Sequence, residues 1–404
     1  MTLSGTNNSG GSFRPLEGVN VVALEQAVSM PYCTFVMAEL GADVIKVERP
    51  ETGDVIRGWD SAANGLSTGY VWVNANKRSL AVDVRSDEGK AILLKLIEKA
   101  DVFVENLAPG AVGRLGLDFE SLSALNSKLI YCSLSGFGSD GPYGNVKSYD
   151  LTVQAESGIL LSNGYPDMPA KVGLPITDLI AGSNAAIGIQ GALIARGRTG
   201  KGHFLDVTML DSALLWLGYF PHRAWHEGTE PPMSGMRHQF ICPYGPYLAK
   251  DDKYVSLAVA NENQWKLFCE DVVEKPEWVD DPRIATIALR RENRELSEGL
   301  VEAAFAEQPR DYWLEKLKAS GIPYGVMRTM KEVVEHPQAL HRKMFVEAET
   351  EVGKLPLVRF PLADAEQNRK IPAVGQHTKE VLGEIGFNDS AISELLESSV
   401  VSAE

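Results

Sequence analysis

Apolar and polar positions over the first 140 residues alternate between two rhythms. Short apolar runs at 19–24, 43–48, 101–106 (DVFVEN) and 129–138 (LIYCSLSGFG) have the length of buried strands. Between them, helical spacing takes over. Residues 31–40 carry Pro31 in the first turn and Gly41 just past the end, and the stretch opened by Ser86, Asp87 and Glu88 puts Ile92, Leu93, Leu96 and Ile97 on one face. Strand, helix, strand alternation predicts an α/β fold with an open parallel sheet, whose ligands gather beyond the carboxyl ends of the strands.

A longer helical pattern follows an apolar, proline-containing lead-in at 171–177. Its small residues (Ala181, Gly182, Ala185, Ala186, Gly188, Gly191 and Ala192) predict a close approach by another segment or by a ligand. Asp178 falls at or near the start of this helix, where the dipole and free N–H groups favour the ionised carboxylate. That residue is either a helix cap or a nucleophile. Beyond 225 the pattern lapses into HEGTEPPMSGMR, and a different texture begins. A hairpin is expected around 247–260, with helices near 264–273, 296–305 and 311–319. The predicted division is a flexible leader (1–14), a large α/β domain (15–224), a linker (225–245), a smaller α+β domain (246–340) and a C-terminal segment (341–404) that returns to the large domain.

With 404 residues, 44% of them hydrophobic, the chain can build a sizeable core. A net charge of −15 excludes a general binder of nucleic acid or of acidic membranes, because both require a broad basic face. No uninterrupted apolar run reaches membrane-spanning length, and the four cysteines form no CxxC pair, so a cytoplasmic protein with reduced thiols is expected. Against this acidic background, Arg49, Lys77, Arg78, Arg114 and Lys147 lie at expected loops or strand ends. If those ends converge they make a phosphate pocket; singly, each reads as a solvated charge.

Three motifs invite chemistry. Gly136, Gly138 and Gly141 spell GxGxxG after a strand, but Pro142 and Gly144 follow where a dinucleotide-binding helix would have to start. His222 and His226 share a helix face without a third ligand, and no metal site is expected. RHQFICPYGPY (237–247) brings together Arg237, His238 and two tyrosines, a set suited to a carboxylate-bearing ligand or to an ordinary interdomain loop.

Taken in order, LEGVNVVALEQAVSMP, ELGADVIKVERPETGD, NANKRSLAVD, ADVFVENLAPGAVGRLG, LSGFGSDGPYG, VGLPITDLIAG and RTGKGHFLDVTMLDSAL resemble the class III CoA-transferases, the group that includes formyl-CoA and carnitine CoA-transferases, from Leu16 to Phe387. The resemblance implies that Asp178 is the nucleophile, without metal or prosthetic group. It implies CoA contacts from Gln26, Ala27, Arg49, Asn74, Ala75, Asn76, Lys77, Asn106, Arg114, Lys147, Tyr149 and Asp150. It further implies acyl-CoA and a small carboxylic acid as substrates, and two ring-like subunits interlocked as a homodimer. The glycine run of formyl-CoA transferases is missing between Trp225 and Tyr247. The related 2-methylacyl-CoA racemases use a histidine where this chain has Tyr149, a phenol ill-suited as a base near neutrality. The 237–247 stretch looks most like that of members handling succinyl, itaconyl, mesaconyl or citramalyl groups, with Arg237 and His238 reading the free carboxylate. A racemase and a non-enzymatic CoA-binding protein are the alternatives.

Overall fold

A computed structural model of the chain describes residues 13–404; residues 1–12 of the expected leader lie outside the described residues. The described chain groups into two compact units, one of residues up to 157 with 173–218 and 337–404, the other of 158–172 and 219–336.

The first unit is mixed α/β around a seven-stranded, mainly parallel sheet. Its strands β1 (Asn20–Leu24), β2 (Asp43–Glu48), β4 (Val102–Glu105) and β5 (Ile130–Ser135) fall where the apolar runs predict them, whereas β3 (Lys77–Val82) matches no predicted run because it opens on Lys77, Arg78 and Ser79. Their order across the sheet is β3, β2, β1, β4, β5, extended past β5 by the parallel strand His203–Thr208 and past β3 by the antiparallel pair Val401–Ser402. Both faces are covered. Val21 and Ala23 point into one core, Val22 and Leu24 into the other, so the strands read as continuous apolar runs.

Chain direction across the sheet reverses between β1 and β4, which are neighbours. The crevice beyond their carboxyl ends is the topological switch point, the usual ligand position in such sheets. Helix α1 (Ser29–Glu39) leaves from this edge and is buried along nearly its whole length. The helix Ile176–Thr199 packs on it. A Cβ at Gly182 would stand 2.4 Å from the Ser29 carbonyl oxygen, so this glycine serves contact with α1, whereas Gly188 and Gly191 face no such contact. By length and composition Ile176–Thr199 could cross a membrane, but here Ile180, Ala181, Ala185, Ala186 and Ile189 lie in the core.

The C-terminal part of this unit is held by a buried ion pair. Glu39, at the end of α1, accepts Nε and Nη2 of Arg369 at 2.9 and 3.1 Å, together with the Phe360 N–H and Asn76 Nδ2. Both charged side chains are fully buried.

The second unit has a three-stranded antiparallel sheet with Tyr254–Ala258 between Tyr244–Leu248 and Tyr324–Val326. Helices Arg294–Phe305 and Arg310–Ser320 supply Val301, Phe305, Trp313 and Leu317 to a core shared with Tyr247, Trp265 and Phe268.

Candidate active site

The residues beyond β1 and β4 are tied to each other. Asn106, one residue past β4, accepts the Gln26 N–H at 2.8 Å and donates to the Gln26 carbonyl at 2.9 Å and to Ser29 Oγ at 3.1 Å. Ala27 follows in the left-handed region (φ 61°), and its N–H donates to Asp54 Oδ1 at 3.0 Å. A paired amide thus bridges the switch point. It leaves the Gln26 side chain without a protein hydrogen bond among the described residues.

Arg49 is exposed immediately after β2, Arg114 is exposed in a short helix (Ala111–Leu115) after β4, and Lys147 is exposed in the long connection after β5. None of the three side chains has an ion-pair partner among the described residues. All three follow carboxyl ends of strands, the edge where the switch point lies.

Asn74, Ala75, Asn76 and Lys77 occupy a different place. Lys77 begins β3 and pairs with Val44 at the amino end of β2, so these residues enter the sheet from the opposite edge. Asn74, Ala75 and Lys77 are buried. The Lys77 ammonium is saturated by Glu25 Oε1 (2.7 Å), the Pro31 carbonyl (2.9 Å) and Asn74 Oδ1 (3.0 Å). Asn76 bonds Glu39 through its side chain. Arg78, half-buried beside them, is held by Asp43, Glu380 and Glu384.

Asp178 lies in the first turn of Ile176–Thr199, one turn before the contact of Gly182 with Ser29. No hydrogen bond reaches its carboxylate among the described residues. The expectation of a carboxylate stabilised in its ionised form is corrected here. Burial and the neighbouring Asp150 carboxylate push its pKa up to about 7, outweighing the helix end. Asp150, the first residue of the helix Asp150–Glu156, is bound on both oxygens. Its Oδ1 accepts the Thr177 N–H and hydroxyl, each at 2.8 Å, and its Oδ2 accepts Gln154 Nε2 at 2.7 Å. This carboxylate therefore fixes the start of the Asp178 helix. Its neighbour Tyr149 is 76% exposed and donates its N–H to Thr152 Oγ1.

The glycine motif after β5 opens no helix. Gly136 is crowded by Ser148, whose hydroxyl would lie 1.8 Å from an added Cβ, and the chain stays irregular up to Asp150. His222 and His226 stack on each other, and no metal-binding group of three acids, cysteines or histidines occurs among the described residues.

Arg237 and His238 are committed within the second unit. Arg237 forms ion pairs with Glu298 (2.8 Å) and Glu302 (2.7 Å) and stacks over Tyr247. His238 Nδ1 accepts the N–H groups of Phe240 and Ile241, and burial beside Arg294 lowers its pKa, so the ring is neutral. In this structure neither provides a free cation. Arg237 borders a cavity of about 1040 Å³, also lined by Arg223, Arg291 and Arg294, within the same unit. Arg291 has no side-chain partner among the described residues.

Sequence reasoning overlooked Asp54. Its one local signal was its position, an acidic residue opening the short helix Val55–Gly58 just after a strand end.

The reversing parallel sheet thus carries exposed cations on the edge where ligands of such α/β folds bind, with the unbonded Asp178 carboxylate one helical turn from the contact of its helix with α1. The chain belongs to CoA-transferase family III, whose profile matches residues 16–378. It is 35% identical to the succinyl-CoA:glutarate CoA-transferase of Homo sapiens over 96% of this chain and 90% of that protein. It is likewise 35% identical to the acetyl-CoA:oxalate CoA-transferase of Acetobacter aceti, over 83% and 86% respectively. Among solved structures, a CAIB/BAIF family protein from Brucella suis superposes with a TM-score of 0.80 at 34% identity, over 92% of this chain and 99% of the other.

Proposed function

We propose that this enzyme moves coenzyme A between an acyl-CoA and a small dicarboxylic acid, with Asp178 as the nucleophile. The observation that carries the assignment is the Asp178 carboxylate itself, unbonded and one helical turn from the point where its helix meets the switch-point loop. With a pKa near 7 it is ionised at mildly alkaline pH and more basic than an ordinary carboxylate.

Attack of Asp178 on the thioester carbonyl gives a mixed anhydride and releases CoA thiolate. The thiolate then attacks the aspartyl carbonyl, freeing the donor acid and leaving an aspartyl-CoA thioester. An acceptor carboxylate attacks that thioester, and the returning thiolate takes the new acyl group, which restores Asp178. The dicarboxylate class is supported by the names of the relatives, which pair succinyl-CoA with glutarate and acetyl-CoA with oxalate. Buried, unoxidised cysteines fit a cytoplasmic setting.

Incubating the protein with succinyl-CoA and glutarate, oxalate or acetate, followed by mass spectrometry of the CoA products, tests the proposal. A new dicarboxylyl-CoA is expected with at least one dicarboxylate; no transfer to any acid would overturn it. Arg49 and Arg114 are assigned to the CoA phosphates. Alanine at either should weaken CoA by about tenfold or more, the worth of a charged hydrogen bond. Calorimetric titration with unchanged affinity for both variants would remove them from the site.

The proposal includes a second copy of the chain. Ile187, Ile194, Leu214, Leu215 and Trp216 expose an apolar face on the first unit, which a dimer would cover. Sedimentation velocity should return a dimer that persists on dilution, and a monomer would contradict it.

A further inference from the structure

We infer that Asp54 is a positioning residue for coenzyme A, acting through the main chain of Ala27. This rests on the reading of the β1–β4 crevice as the CoA site.

Ala27 has a β-carbon and a φ of 61°, a conformation that persists only where the surroundings over-determine it. The restraints come from two sides. Asn106 grips Gln26, and Asp54 Oδ1 accepts the Ala27 N–H at 3.0 Å. Asp54 is itself rigidly set. It is 4% exposed, its Oδ1 also accepts the Ile56 N–H, its own N–H donates to Glu48 Oε1 at 3.0 Å, and its Oδ2 pairs with Lys46 Nζ at 2.8 Å.

Lys46 extends the clamp across the sheet. Its ammonium lies 3.3 Å from Glu25 Oε1, which binds Lys77 at 2.7 Å, while Glu48 meets Ser79 Oγ at 2.6 Å and Arg57 at 2.8 Å. Glu25 follows β1, Lys46 and Glu48 lie on β2, and Lys77 and Ser79 lie on β3. A network of this kind gains little stability over an apolar core of equal volume, because the desolvation of its charges offsets their attraction. What it provides is a fixed acceptor at one point. The turn that ends at Asp54 is also the one that presents Arg49, closed by the Gly53 N–H on the Arg49 carbonyl. Asp54 is therefore the node that holds two neighbouring strand-end loops, one bearing Gln26 and the other Arg49.

The test compares Asp54→Ala with Asp54→Asn in the full-length protein. Both lose the ion pair with Lys46 and both should melt earlier than wild type. Only asparagine keeps an oxygen for the Ala27 N–H. Wild-type CoA affinity is measured first, by calorimetry. If wild type does not bind CoA, the functional proposal fails, and the clamp is still read by hydrogen exchange at the Ala27 amide. Asp54→Ala should raise KM for the acyl-CoA at least tenfold, with a much smaller change in kcat, and should accelerate Ala27 exchange. Asp54→Asn should restore affinity to within about threefold of wild type despite its lower melting temperature. Equal losses of affinity in the two variants, or an Ala27 amide as protected in Asp54→Ala as in wild type, would overturn the inference. If the alanine variant does not fold, an asparagine variant with wild-type KM and wild-type Ala27 protection upholds it, and one with alkaline-exchange rates of an open loop overturns it.

Discussion

Alanine at position 178 is expected to lower kcat for CoA transfer by about a thousandfold or more, the usual scale for loss of a nucleophile. CoA binding should survive, because the cations and the Gln26–Ala27 loop belong to other segments. Wild-type turnover in Asp178→Ala would end the assignment. The same carboxylate sets the pH profile. With its pKa raised to about 7, kcat/KM of the free enzyme should fall about tenfold per pH unit below that value. Stability carries the opposite sign. A carboxyl whose folded pKa is raised favours folding while protonated, and that contribution is lost as pH rises from 3.8 through about 7. Asp178→Asn escapes this loss, so its margin in melting temperature over wild type should grow between pH 5 and pH 8. The full shift would correspond to about 4 kcal/mol, and partial exposure of the site reduces the expectation to about 2 kcal/mol. A margin that does not change with pH would show that Asp178 titrates normally.

The largest expected effect on stability is at Glu39. Replacing it with alanine leaves the Arg369 guanidinium buried without its carboxylate and removes the acceptor of the Phe360 N–H. Breaking one side of a buried pair costs about 3–5 kcal/mol. Urea unfolding should show that loss in the single variant. In the double variant Glu39→Leu, Arg369→Met it should show a smaller one, because no unpaired charge remains. A loss under about 1 kcal/mol in the single variant would mean that water reaches the pair in solution.

β1, β2, β4 and β5 were readable because their runs are mainly apolar and are punctuated by glycine, proline or a capped helix; β3 was not, because its first half is Lys77, Arg78 and Ser79. Nor was His203–Thr208, since this edge strand is half-exposed and Phe204 reaches the surface. Val401–Ser402 is too short to carry any pattern. At the site, the strand-end reading put Arg49, Arg114 and Lys147 at loops or strand ends, and in the fold all three follow carboxyl ends of strands; Gln26 and Asn106 came from the family resemblance alone. The strand-end reading could not show that Lys77 is buried, because the partner that permits burial, Glu25, lies 52 residues earlier. Arg237 is a similar case. In sequence it is a cation beside a histidine, and only the fold brings Glu298 and Glu302 from a later helix to neutralise it. The ionisation of Asp178 was misjudged for the same reason: the helix end is local information, whereas Asp150 and the burial are not.

The pairing of β3 with Val401–Ser402, and of Glu39 with Arg369, bears on how the protein is made. During translation the outer edge of β3 emerges more than three hundred residues before the strand that covers it, and Glu39 waits slightly longer still for its counter-ion. At typical elongation rates that interval is roughly 15–60 s. Throughout it, the nascent sheet offers an unpaired strand edge and a carboxylate with no guanidinium to meet it, the combination most prone to wrong association. The first unit closes only after the ribosome has also delivered the whole of the second, and ribosome-bound chains stalled before residue 360 should remain sensitive to protease around α1.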